Sequence, residues 1–365
     1  MNSNKARIIS GNSSILLDSL RLFAAISVLT LHAQSLWFPI NKFSVVQPPD
    51  YAHSAVIIFF VLSGFVIAHT TESSNRGRSQ YAVARLSRLS SVVIPALVIT
   101  GIAQFMVGRL DITLLHSFSR GPSVIRYIIS GLYLNEVWFF SAAPIINIPL
   151  WSLSYEFWYY VIFGFWFFKG TGWKAYILPL LACLVAGPKI LLMMPIWLAG
   201  VIAYRTKRPI LKVRTSWLLV FLFLIIGFLM VAFLPPLPAK AGYKPLFFSS
   251  QFITDWITCV FVGLAFWVLP TTGNTKTVHT KKELWFRKVA DLTFPIYVMH
   301  FPLLILFQAL FGLQLHNFFQ MVCAFIFAIS ISSLIGIILD KYRFIWIKLF
   351  KKIFGFNRSI FSPQS

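Results

Sequence analysis

The chain has 365 residues, 58% of them hydrophobic and only 12% charged, with a formal net charge of +22. A soluble domain carries about 25% charged residues, so a water-exposed globular architecture is excluded. Nucleic acid is excluded as a partner too, because it requires a basic cluster or stripe, and the Lys and Arg here are dispersed along the chain.

The apolar residues fall in blocks of about 17 to 20, enough to cross a ~30 Å hydrocarbon core. Ten such segments lie near 15–35, 54–72, 91–108, 150–168, 174–188, 189–204, 216–234, 251–269, 293–312 and 319–339. The first opens Leu17-Asp18-Ser19-Leu20-Arg21-Leu22 and then runs apolar to His32. The interval from Arg21 to His32 turns a helix about 1100°, within ~20° of three full turns, and advances it ~16 Å. Both side chains therefore share one helix face at different depths. Either Arg21 and His32 snorkel to opposite interfaces, or they face a polar cavity. Asp18 lies one turn before Arg21, where it can pair with the guanidinium.

The second segment holds Ser63-Gly64 at mid-span, a pair that permits close helix packing. Arg85 and Arg88 follow at i, i+3; their guanidinium forks suit either phosphate oxygens or anionic lipid. The longest connection, 109–149, contains Ile125–Leu134, which is too short to span and reads as re-entrant or interfacial. Glu156 sits in the aromatic fourth segment with no Lys or Arg within a turn. It is either an acid–base group or a structural carboxyl bonded to Ser or Tyr hydroxyls. The fifth and sixth segments are short and separated only by Gly187-Pro188. The ninth opens with Pro295, Tyr297, His300 and Pro302, where His300 is placed to satisfy a backbone group that the prolines free.

With the N-terminus inside, the inner segments hold 24 of the 32 Lys and Arg, the outer ones seven, and Arg21 lies within the membrane. That asymmetry is the positive-inside pattern, and it puts both termini in the cytoplasm. The expected fold is an all-α polytopic membrane bundle of about ten transmembrane helices. A tail of residues 1–14 precedes the membrane domain, 15–340, and a basic tail, 341–365, follows it. Cys183, Cys259 and Cys323 lie in apolar segments, where thiols act as small hydrophobes. No zinc spacing, phosphate-binding loop or G-x-S-x-G motif occurs, so no metal is expected.

Taken in order, these segments resemble the acyltransferase-3 family of bacterial membrane O-acyltransferases. The matching residues are Asp18–Arg21 with Arg21-x10-His32, Phe59–Gly64, Arg85 with Arg88, Pro149–Glu156 and Pro295–His300. Two positions depart from the family pattern: Phe157 follows Glu156 where a second glutamate is common, and Ile57-Ile58 stand where an acidic residue is common. His53 lies nearby and is read either as an interfacial histidine or as a substitute. The resemblance implies an acyl-CoA donor, most commonly acetyl-CoA, and a hydroxyl acceptor on a carbohydrate or lipid-linked glycan. It also implies the bacterial inner membrane, with the lipid bilayer and glycan-assembly proteins as partners. His32, Glu156 and Arg21 are the implied catalytic group, and Arg85, Arg88 and Ser63 the implied donor site. Trp151, Tyr155, His53 and His300 are candidates for acceptor binding. The rival classes are a transporter or flippase, whose inverted repeats are not detectable here, and a non-catalytic component of a glycan-assembly complex.

Overall fold

The structure, a computed structural model, describes residues 9, 11–39, 50–73, 77–271 and 281–355. Lys5, Arg7, Lys42, Arg76, Lys276 and Arg358, counted in the charge asymmetry above, lie outside the described residues. Among the described residues all regular structure is helical, with one isolated β-bridge. That is the expected outcome for a chain in lipid, where every backbone polar group needs an internal partner.

Among the described residues, seven helical stretches are long and apolar enough to cross a membrane: Asn12–Trp37, Tyr51–Ser73, Arg78–Leu110, Trp173–Arg205, Val213–Phe233, Leu284–Phe311 and Phe318–Ile353. The helices are α1 (Asn12–Trp37), α2 (Tyr51–Ser73), α3 (Arg78–Leu110), α4 (Ile112–Ser117), α5 (Ser123–Gly131) and α6 (Trp151–Phe167). They continue as α7 (Ile177–Arg205), α8 (Val213–Phe233), α9 (Phe252–Trp267), α10 (Lys281–Asp291), α11 (Thr293–Phe311) and α12 (Phe318–Ile353). The shorter α6 and α9 are apolar and largely buried.

The expected fifth and sixth segments are the two arms of α7. Gly187 breaks the helix with φ 80° and ψ 176°, a conformation that favours glycine. A Cβ there would lie 2.7 Å from the Trp138 backbone nitrogen, which donates to the Ala186 carbonyl at 3.1 Å. The chain folds back at this point. Before the first arm, Tyr176 lies 4.0 Å beneath the Lys169 ammonium, and at the end of the second, Arg205 lies 5.3 Å from Phe167. Both ends therefore sit at the C-terminal end of α6. The apex sits at the other end, where the Lys189 carbonyl accepts from Ser249, itself bonded to Tyr155.

α2 is central, packed against α1, α7 and α9. Its approach to α7 is close enough that backbones touch. A Cβ on Gly64 would fall 1.9 Å from the Trp197 carbonyl oxygen, and one on Gly200 would fall 1.9 Å from that of Val61. The Ser63-Gly64 pair thus serves packing, and the same contact fixes the height of Ser63.

Most of the 125–134 stretch lies in α5, a short amphipathic helix with Val124, Ile125 and Ile128 exposed and Ser130 buried. Its end runs into the bundle, where Tyr133 is buried and stacked 4.5 Å from Phe157 of α6. The loop after α5 is pinned by Lys189, a residue the sequence places in an outer loop. Instead its ammonium donates to Glu136 at 2.6 Å, and both side chains are 0% exposed. Burial pushes the Glu136 carboxyl up to about 7, while Lys189 pulls it the other way.

Candidate functional site

A cavity of about 90 Å³ lies among α1, α2, α3, α6 and α11. Into it these helices bring Arg21, Ser63, Arg85, Arg88 and Glu156, residues scattered over 136 positions of sequence. Arg21 is held by Asp18 at 3.3 Å, as the one-turn spacing predicts. Arg85 donates to the Thr70 hydroxyl at 2.9 Å and lies over the Tyr81 and Tyr160 rings. These contacts place it near the C-terminal end of α2, the basic end of the bundle.

Glu156 is not the partnerless carboxyl that its apolar helix suggests. Ser63 Oγ donates to its Oε1 at 2.9 Å, and the Tyr160 hydroxyl donates to the same oxygen. Trp197 Nε1 in turn donates to Ser63 Oγ at 3.2 Å. Oε2 accepts no hydrogen bond from the described residues and remains available on the cavity wall. Glu156 therefore shares a chamber with the arginines, and is not in a separate compartment with the acceptor-site candidates.

The two histidines form a second unit. His32 Nδ1 and His300 Nε2 are 2.8 Å apart, with ring planes within 8° and centroids 5.1 Å apart. The rings are therefore joined edge to edge in a common plane, with no face-to-face overlap. His300 Nδ1 lies 2.7 Å from the Tyr297 carbonyl and 3.2 Å from that of Ile296. A carbonyl only accepts, so His300 carries its proton on Nδ1 and offers a lone pair at Nε2. His32 must then donate from Nδ1, which leaves the lone pair of its Nε2 for chemistry. This assignment follows from the hydrogen-bond network, because protons are not themselves located.

His300 does bond backbone carbonyls, as its place among prolines suggests. However, the carbonyl that Pro302 frees is that of Val298, and Asn147 Nδ2 satisfies it at 3.0 Å. The histidine pair does not line the cavity. Between them stands Tyr297, which does line it, with its ring 6.0 Å from that of His300. The Tyr297 hydroxyl is 2.7 Å from Ser152 Oγ and 3.1 Å from the Pro149 carbonyl. Arg21 thus faces the chamber and His32 lies beyond it, in keeping with their computed ~16 Å offset along one helix face.

The remaining candidates form a packed layer beyond the cavity. Trp151 is sandwiched between His53, at 5.7 Å, and Phe248, at 4.4 Å. Tyr155 is fully buried, with its hydroxyl 2.8 Å from Ser249 Oγ. His53 is not an interfacial histidine: it is buried, and its Nε2 lies 2.8 Å from Asp255. None of the three lines the cavity. Sequence reasoning passed over Asp255, Tyr160, Tyr297 and Ser152. Asp255 carried a usable signal as one of only ten acidic residues, set inside an apolar segment. Tyr297 lay within the quoted Pro295–His300 segment.

The family model for the acyltransferase-3 type, described as an acyltransferase domain, matches residues 15–337. A relative described as acyltransferase MdmB, from Streptomyces mycarofaciens, is 28% identical over 156 residues, 41% of this chain and 38% of its own length. The chain therefore spans well under half of that relative. No solved structure matches significantly.

Proposed function

This chain belongs to the acyltransferase-3 family, and from that premise we propose that it moves an acyl group from acyl-CoA to a sugar hydroxyl. The group is acetyl, the acceptor is a cell-surface or exported glycan, and the site is the bacterial inner membrane. The bundle crosses ten times, counting each arm of α7, with both termini in the cytoplasm; the positive-inside bias supports that orientation.

The observation that carries the reading is a histidine with one tautomer imposed on it, next to a chamber walled by three arginines. Arg85 and Arg88 take donor phosphates at the basic mouth, for which guanidinium forks are suited. Arg21, held by Asp18, and Glu156, held by Ser63 and Tyr160, orient the thioester end in the chamber. His32 Nε2 removes the acceptor hydroxyl proton as the oxygen attacks the thioester carbonyl. The tetrahedral oxyanion collapses, the C–S bond breaks, and the CoA thiolate takes the proton back from His32. The alternative order, with His32 Nε2 itself carrying the acyl group between donor and acceptor, uses the same lone pair.

The test replaces His32 with alanine and measures glycan O-acetylation in cells by NMR, with the amount of protein in the membrane held equal. Loss of a well-placed base lowers the rate by about 10²–10⁴. Acetylation at the wild-type level would remove His32 from the chemistry.

A further inference from the structure

A second cavity of about 50 Å³ adjoins the first and shares Arg88 and Phe294 with it. Its far side is formed by α12, which contributes Gly336, Asp340 and Arg343. Gly336 lets α12 pass close to α11, since a Cβ there would meet the Pro295 ring at 2.8 Å. This contact lies two turns before Arg343 and brings its guanidinium to the same cavity as Arg88. The Nε of Arg343 is buried with no hydrogen-bond partner. Among the described residues neither Arg88 nor Arg343 has a carboxylate within 4.0 Å. Asp291 and Asp340 line the cavity beyond that distance, so they balance charge without occupying the guanidinium donors. Unused donors of this kind are costly to bury, and guanidinium forks lining one cavity suit the oxygens of a phosphate group.

We propose that Arg343 and Arg88 form a second anion subsite that binds a phosphate monoester of the donor, apart from the phosphates held near Arg85. The proposal rests on the acyl-CoA reading above. That donor presents phosphate at two stations, a diphosphate within its chain and a monoester on its ribose, and the two adjoining cavities offer arginines at two stations. An anionic lipid headgroup presents the same phosphate chemistry, so the experiment separates the two sources.

Full-length wild type, Arg343→Ala and Arg343→Lys are placed in nanodiscs, either of zwitterionic lipid alone or with added anionic lipid. KM is measured by thiol release, with a glycan extract from the source cells supplied as acyl acceptor, for acetyl-CoA and for acetyl-dephospho-CoA, which lacks only the ribose monoester. The wild type is expected to favour the full donor by about tenfold or more in KM, the scale of one charge-assisted contact. Arg343→Ala should raise KM for acetyl-CoA and bring the ratio of the two KM values close to one, and Arg343→Lys should retain part of it. Both donors are read on one preparation, so a misfolded fraction lowers both rates and leaves the ratio intact. A wild-type ratio that persists in Arg343→Ala overturns the subsite. A ratio that changes only when anionic lipid is present assigns Arg343 to a headgroup and overturns it as well. If the wild type releases thiol from neither donor, the acyl-CoA reading itself has failed.

Discussion

Replacing His300 tests the tautomer argument directly. In the native pair, His300 Nε2 accepts from His32 Nδ1 at 2.8 Å, and its own Nδ1 donates to the Tyr297 carbonyl at 2.7 Å. His300→Phe keeps a ring in the same space but removes the acceptor. His32 then either buries an unpaired Nδ1–H or moves its proton to Nε2, where it blocks the reactive lone pair. The lost hydrogen bond is worth about 1 kcal/mol and an unpaired buried donor costs about 1–3 kcal/mol. A bias of about 2–3 kcal/mol, at 1.36 kcal/mol per decade, corresponds to a fall of about 30- to 150-fold in rate. His300→Gln is the control, because its carbonyl can accept from His32 and its amide can donate to Tyr297; its loss should stay within about tenfold. The assay is thiol release from acetyl-CoA by protein in nanodiscs with a glycan extract supplied as acyl acceptor, with thermal unfolding to confirm equal folding. The double variant His32→Ala, His300→Phe should be no slower than His32→Ala, since a positioning residue has nothing left to position. Equal losses in His300→Phe and His300→Gln, or multiplicative losses in the double variant, would refute the reasoning.

Two further outcomes concern the scaffold. Gly200→Ala puts a Cβ 1.9 Å from the Val61 carbonyl oxygen, a backbone clash that no rotamer change relieves. It should therefore destabilise by about 3 kcal/mol or more, at or beyond the upper end for overpacking, and lower the thermal midpoint in detergent; an unchanged midpoint contradicts the packing. Glu136 has a folded value pushed up to about 7 by burial, above its unfolded value of about 4.3. The native state thus binds the proton more tightly, and this contribution to stability is complete below about pH 4.3 and is lost as pH rises through about 7. The thermal midpoint should fall between pH 5 and 8, and Glu136→Gln should flatten that slope. A slope unaffected by Glu136→Gln would show that the carboxyl is not its source.

Much of the chamber was legible in the sequence, because an ionisable residue in an apolar segment is costly and therefore conspicuous. Arg21 and Glu156 stood out on that ground and Arg85 and Arg88 by their i, i+3 spacing, and all four line the same cavity. The Asp18–Arg21 pair was legible too, since i, i+3 spacing on a helix fixes proximity. What sequence reasoning misjudged was partnership. Glu156 was read either as an acid–base group or as a carboxyl bonded to Ser or Tyr hydroxyls; Tyr160, one turn on, is such a partner within reach of local spacing, but Ser63 comes from α2, 93 residues earlier. His53 was read as interfacial or as a substitute, and Lys189 was counted with the outer loops, yet each is buried against a carboxylate from a distant segment. Local spacing says nothing about a partner delivered by another helix.

The sequence by itself determined the class of the molecule, an all-helical membrane protein. Hydrocarbon admits only apolar helices of a given length, and that property is local and can be counted. It also determined that Arg21 and His32 share a helix face, because 3.6 residues per turn is a constant of the backbone. Only the tertiary structure decided what that face meets. Backbone contact at Gly64 and Gly200 sets the height of α2 against α7, and so places Ser63 on Glu156. The position of α11 beside α1 sets His300 against His32 and thereby selects which imidazole nitrogen of His32 keeps its lone pair unused. A tautomer depends on a hydrogen bond between residues 268 positions apart, and only the packed bundle brings them together.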